Sequence, residues 1–139
     1  MRNFFLILVF FACCSCHKNN VENTNPYLVN INFSKEINTS LPSYNSLQFP
    51  SNPVLITDAG SGIQGIIVMK VGDNDYRAWE ASCPIQYPVS CSKLTISGLT
   101  AKCSCESTIY NLYTGDGGQT YGLKPYRVEV NGAIIRVYN

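Results

Sequence analysis

Ala81-Ser82-Cys83-Pro84-Ile85 and Lys102-Cys103-Ser104-Cys105-Glu106 bracket the stretch that decides the fold. Four of the seven cysteines (Cys83, Cys91, Cys103 and Cys105) fall inside it, and the other three (Cys13, Cys14 and Cys16) crowd the N-terminus. Strand-like segments lie on both sides. Two short cysteine boxes twenty positions apart therefore read as two loops folded toward each other.

Working outward, 76–80 reads as a strand that delivers the chain to Cys83. It follows a hairpin turn at 71–75 and a β-branched strand at 65–70. The glycine-rich turn at 58–62 is followed by that strand and not by a helix, so it is no phosphate cradle. A short strand at 54–56 comes after a loop at 40–53 that holds Pro42, Pro50 and Pro53. The alternation at 27–33 predicts a first strand. Downstream, 108–113 reads as a strand and 115–122 as a glycine-rich stretch. Runs at 126–130 and 133–137 flank Asn131-Gly132, the clearest hairpin signal in the chain. No segment keeps a helical period, so the chain is expected to be all-β, a sandwich or barrel. Trp79 stands in an alternating strand and is expected in the core. Tyr110, Tyr113, Tyr121, Tyr126 and Tyr138 are expected to pack strands, although a tyrosine-rich surface can also serve binding.

At 139 residues, 14% charged and 45% apolar, the chain has room for one folded domain. Of its 10 basic residues only Arg2 lies before position 16, so 9 basic and 9 acidic residues remain beyond it. No basic stripe offers a footprint for nucleic acid. His17 is the single histidine and lies outside the expected domain. That excludes histidine-dependent nucleophile systems and mixed Cys–His zinc sites there. No catalytic constellation remains, and an enzyme is not expected.

Positive Arg2, the apolar run 4–12 and then Cys13-Cys14-Ser15-Cys16 read as a lipoprotein leader. The run is too short to span a bilayer. Residues 1–15 are expected to be removed and Cys16 acylated, with Cys13 the second choice. Residues 16–26 then form a flexible tether, and 27–139 the domain. The expected location is the bacterial envelope, probing its periplasmic or outer face from a lipid anchor, most readily in the outer membrane.

The two boxes and their gap resemble a Rieske iron–sulfur domain, in which Cys-x-His and Cys-x-x-His boxes give one iron two thiolates and the other two imidazoles. Cys83 and Cys103 match the thiolates. Ser107-Thr108-Ile109-Tyr110 resembles the Gly-Ser-x-aromatic run that follows the second box. The resemblance is closest over 53–139 and is similar to small Rieske-like lipoproteins of Bacteroidetes-type bacteria. It implies stacked antiparallel sheets or a partly open barrel with a two-loop cysteine subdomain. The departures lie at the metal: Ile85 and Glu106 stand where the family has its histidines. The third loop, usually a Gly-Pro turn, is the proline-free stretch 115–122.

In an exported protein cysteines usually pair, and four allow three connectivities. Pairing Cys103 with Cys105 needs a strained small ring. The resemblance implies Cys83 with Cys103, and Cys91 with Cys105 as the bridge that one Rieske branch uses to clamp its loops. The expectation is therefore no cofactor and a non-redox, disulfide-clamped binding or structural module, meeting an envelope protein or small ligand. The alternative is an electron-transfer protein with a [2Fe–2S] cluster on Cys83 and Cys103 together with Cys91, Cys105 or Glu106. A four-cysteine zinc site is a third possibility with unfavourable spacings, and Glu106 as a hard-metal ligand a fourth.

Overall fold

The computed structural model describes residues 25–139. The leader, most of the tether, and Cys13, Cys14, Cys16 and His17 lie outside the described residues. Nine strands are present there: β1 (Ser34–Asn38), β2 (Val54–Ile56), β3 (Ile66–Gly72), β4 (Asp75–Glu80), β5 (Thr95–Ser97), β6 (Thr100–Lys102), β7 (Ile109–Asn111), β8 (Arg127–Asn131) and β9 (Ile134–Tyr138). They form three antiparallel three-stranded sheets, ordered β1-β9-β8, β2-β3-β4 and β5-β6-β7. None closes into a barrel.

The sequence of β3 explains the layering. Ile66, Ile67, Val68 and Met69 are all buried, the mark of a strand covered on both faces. Successive side chains point to opposite faces. Ile66 and Val68 thus join Ile37, Leu47, Ile56, Ala78, Tyr126, Ile135 and Val137 in one core, against the β1-β9-β8 sheet. Ile67 and Met69 join Trp79, Leu94, Ala101, Cys83, Cys103, Tyr110 and Leu112 in a second core, against the β5-β6-β7 sheet. The middle sheet is the shared wall. Each fully buried aliphatic side chain contributes about 1.5–3 kcal/mol of transfer free energy. Trp79 is core as expected: it lies opposite Ile67 in the β3–β4 ladder, and its indole N–H donates to the Leu112 carbonyl at 2.8 Å.

One expectation needs correction, and two stretches carry structure that the sequence did not show. Residues 27–33 are not a strand: β9 ends at Tyr138 opposite Ser34, and among the described residues no strand lies opposite the preceding ones. Side chains hold that segment instead: the Lys124 ammonium donates to the Val29 carbonyl at 2.6 Å, and the Asn139 amide to the Ile31 carbonyl at 2.9 Å. The loop 40–53 contains a 3-10 turn, Asn45–Gln48, that buries Leu47. The stretch between the cysteine boxes contains the β5–β6 hairpin, turned at Gly98 with φ +57°.

Candidate functional site

β4 carries the chain into the first cysteine box, and the backbone closes that box at its root. Cys83 N–H donates to the Ser92 carbonyl and Leu94 N–H to the Ala81 carbonyl, each at 2.7 Å, so residues 84–92 loop out and return. β6 carries the chain into the second box. There Cys103 N–H donates to the Thr108 carbonyl at 2.8 Å, and Ser107 takes a left-handed conformation, φ +56°. The two loops meet. Cys83 is bonded to Cys103 with Cα atoms 5.5 Å apart, and Cys91 to Cys105 with Cα atoms 5.3 Å apart. Both separations suit an ordinary disulfide.

The two bridges occupy different environments. Cys83 and Cys103 are 0% exposed within the second core. Cys105 is half-buried against that core and Cys91 is exposed. Ile85 also packs half-buried against it, and Glu106 is exposed in the turn. The four cysteines and Ile85 therefore converge, and Glu106 stays in solvent.

The glycine-rich stretch lies over the same core. A Cβ on Gly115, at φ +77°, would stand 2.7 Å from the Trp79 ring, and one on Gly117 would overlap the Tyr110 ring. Both aromatic rings belong to the core that holds Cys83 and Cys103. Small residues here let the backbone lie directly on the rings.

Glu80 was not singled out by sequence. It is 0% exposed, and its carboxylate accepts four hydrogen bonds: from Ile63 N–H at 2.7 Å, Gln64 N–H at 3.0 Å, Ser82 N–H at 3.0 Å and the Tyr126 hydroxyl at 2.6 Å. It ties the 58–65 turn and the first box to the sheet end one residue before Ala81. A signal existed. Glu80 shares a strand face with Ala78, opposite a β3 run that is apolar on both faces. Burial, and then the Glu80 charge, push the Tyr126 phenol far above its ordinary range. Burial draws the Lys124 ammonium down, with Glu80 opposing. Burial and the Glu106 charge push the Tyr110 phenol up to about 12, and its hydroxyl has no protein hydrogen-bond partner among the described residues.

Other tyrosines gather on the outside of the first box. Tyr27 meets Tyr87 and Tyr121 edge to face, with ring centroids 5.2 and 6.1 Å apart, and Tyr87 is 65% exposed.

The donor set can be compared with a Rieske [2Fe–2S] group. That group needs two thiolates and two imidazoles. Here the two inner sulfurs are bonded to each other, Ile85 has no lone pair, and Glu106 offers a hard oxygen from solvent. These residues do not fit it. A four-thiolate centre would first require both bridges to be reduced.

No protein-family model matches the chain, and no curated protein matches it. Solved structures overlap it at low identity. A chain from a complex of reduced oxygenase and oxidized ferredoxin in carbazole 1,9a-dioxygenase is 21% identical, with TM-score 0.48, over 76% of this chain and 93% of that one. The ferredoxin of carbazole 1,9a-dioxygenase from Nocardioides aromaticivorans is 19% identical, with TM-score 0.43, over 64% and 86%. A chain described as an NADH-dependent nitrite reductase small subunit from Mycobacterium tuberculosis is 17% identical, with TM-score 0.45, over 79% and 97%. At these values the overlaps assign neither a function nor a cofactor to this chain.

Proposed function

We propose that this chain is an envelope lipoprotein whose domain keeps a Rieske-type two-loop plan as a disulfide-clamped scaffold and does not carry electrons through a cluster. The single observation that carries the reading is the buried Cys83–Cys103 bond, which joins the roots of the two loops at the positions matching the family's thiolates. Ile85, packed against the same core, adds an apolar side chain where a metal would need an imidazole. The lipid anchor at Cys16, the tether and the envelope location are part of this proposal and rest on the leader sequence. The scaffold presents the outer surface of the first box, with Tyr27, Tyr87 and Tyr121, to an envelope protein or small ligand.

Purification of the full chain from native membranes under anaerobic conditions tests the reading. The expected protein is colourless, contains no stoichiometric iron, and gives no electron paramagnetic resonance signal on reduction. A stoichiometric iron–sulfur signal would overturn it in favour of electron transfer. Mass spectrometry of the N-terminal peptide is expected to find acylated Cys16; an unmodified N-terminus beyond Asn19 would remove the lipoprotein part alone.

A further inference from the structure

We infer that the outer bridge, Cys91–Cys105, is a thiol-exchange site that a dithiol-bearing partner protein opens while the inner bridge stays closed. The inference goes beyond the scaffold reading and rests on both bridges being present in the native protein.

Exchange needs an approachable sulfur and a leaving sulfur that can carry charge. The inner bridge fails the first requirement, since both its cysteines are fully buried. In the outer bridge Cys91 is exposed, and Cys105 is half-buried behind it. The leaving side is also prepared. The Gln86 side-chain amide donates to Cys105 Sγ at 2.8 Å, from a loop fixed at its root by the Cys83–Ser92 hydrogen bond. A hydrogen bond to a departing thiolate stabilises it, as charge-assisted bonds do. The exposed Glu106 carboxylate beside Cys105 acts in the opposite sense, but through solvent.

The reaction balances with a dithiol as reductant. Its thiolate attacks Cys91 Sγ and forms a mixed disulfide. The electron pair of the Cys91–Cys105 bond leaves on Cys105 Sγ, which takes a proton from water. The partner's second thiol, deprotonated, then attacks the partner's own sulfur in the mixed disulfide and releases Cys91. Two electrons and two protons have moved: the bridge ends as two thiols and the dithiol as a disulfide. Opening parts Cys91 from Cys105, while Val89 stays held by the hydrogen bonds that its carbonyl accepts from Gln64 and Ser92, and Tyr87 by its edge-to-face contact with Tyr27. The inner bridge and the root hydrogen bonds remain.

The experiment uses the full chain. Any free thiols are first blocked with N-ethylmaleimide, dithiothreitol is added at neutral pH, and newly freed thiols are labelled with iodoacetamide and mapped over time. Cys91 and Cys105 are expected to label at least about tenfold faster than Cys83 and Cys103. Equal rates, or earlier opening of the inner pair, would overturn the proposal. Glutathione in place of dithiothreitol is expected to leave an adduct on Cys91; an adduct on Cys105 would overturn the assigned direction of attack. Gln86→Leu is expected to slow outer opening about threefold or more, and Gln86→Glu further, with the inner rate unchanged. An unchanged or faster outer rate in both variants would remove the role of Gln86. Cys83, Cys91, Cys103 or Cys105 already blocked in the first step would contradict the scaffold reading, a result distinct from every failure above.

Discussion

Glu80 and Tyr110 are both buried and polar, and their environments lead to opposite expectations. Removing the Glu80 carboxylate orphans three backbone N–H groups and a phenol. Each unsatisfied buried donor costs about 1–3 kcal/mol, although relaxation and water recover part of the sum. Glu80→Ala is therefore expected to lower stability by about 3–5 kcal/mol, read as the shift of the urea midpoint at constant m. Tyr126→Phe removes one of the four donors and is expected to cost about 1–2 kcal/mol. The Tyr110 hydroxyl has no protein partner among the described residues, so Tyr110→Phe is expected to change stability by less than about 0.5 kcal/mol or to raise it. A cost for Tyr110→Phe as large as that for Tyr126→Phe would contradict this account of the core. Sequence placed Trp79 in the core, because it stands in an alternating strand, and assigned Tyr110 a strand-packing role along with four other tyrosines, leaving a binding surface open. It did not show Glu80, because a carboxylate is normally solvated, and its donors come from a turn sixteen and seventeen residues upstream as well as from its own neighbourhood.

Among the elements, the β3–β4 and β8–β9 hairpins were legible, and the β5–β6 hairpin and the long-range ladders were not. β3 with β4 and β8 with β9 are joined by turns whose residues favour a left-handed backbone, Asn74 at φ +53° and Gly132 at φ +59°. β1 was misplaced because its partner, β9, lies at the other end of the chain, and only Ile37 of its five residues is fully buried. β5 and β6 have three residues each, too few to show a period. The 115–122 stretch was readable as a glycine-rich loop, but not as a lid on Trp79 and Tyr110. Gly115→Ala forces a methyl group into the indole and asks for a positive φ, so it is expected to cost about 2 kcal/mol or more. A change below about 0.5 kcal/mol in thermal or urea unfolding would show that the loop does not bear on that ring. For the bridges, replacing Cys83 and Cys103 together by Ala is expected to cost more than replacing Cys91 and Cys105. The chain-entropy contributions are similar, roughly 3 kcal/mol each, but the inner pair also loses buried packing. A larger loss for the outer pair would place the clamp at the wrong bridge.

At the scale of the molecule, the two cores share one sheet, so a proton lost in either loosens both. Tyr110 and Tyr126 hold their protons more tightly folded than unfolded, where a phenol titrates near 10. The stability this provides is complete below pH about 10. It falls as pH rises above that value and through about 12, where Tyr110 ionises. Urea midpoints are thus expected to drop steeply between pH 10 and 12, and less steeply in Tyr126→Phe; flat midpoints over that range would contradict the burial of both phenols. The central claim, two loops tied sulfur to sulfur by the Cys83–Cys103 and Cys91–Cys105 bonds, has a more direct test. It is peptide mapping without reduction of the full chain taken from native membranes, with free thiols blocked at lysis. The account predicts two linked peptide pairs, Cys83 with Cys103 and Cys91 with Cys105. Four blocked thiols, or a different pairing, would contradict it.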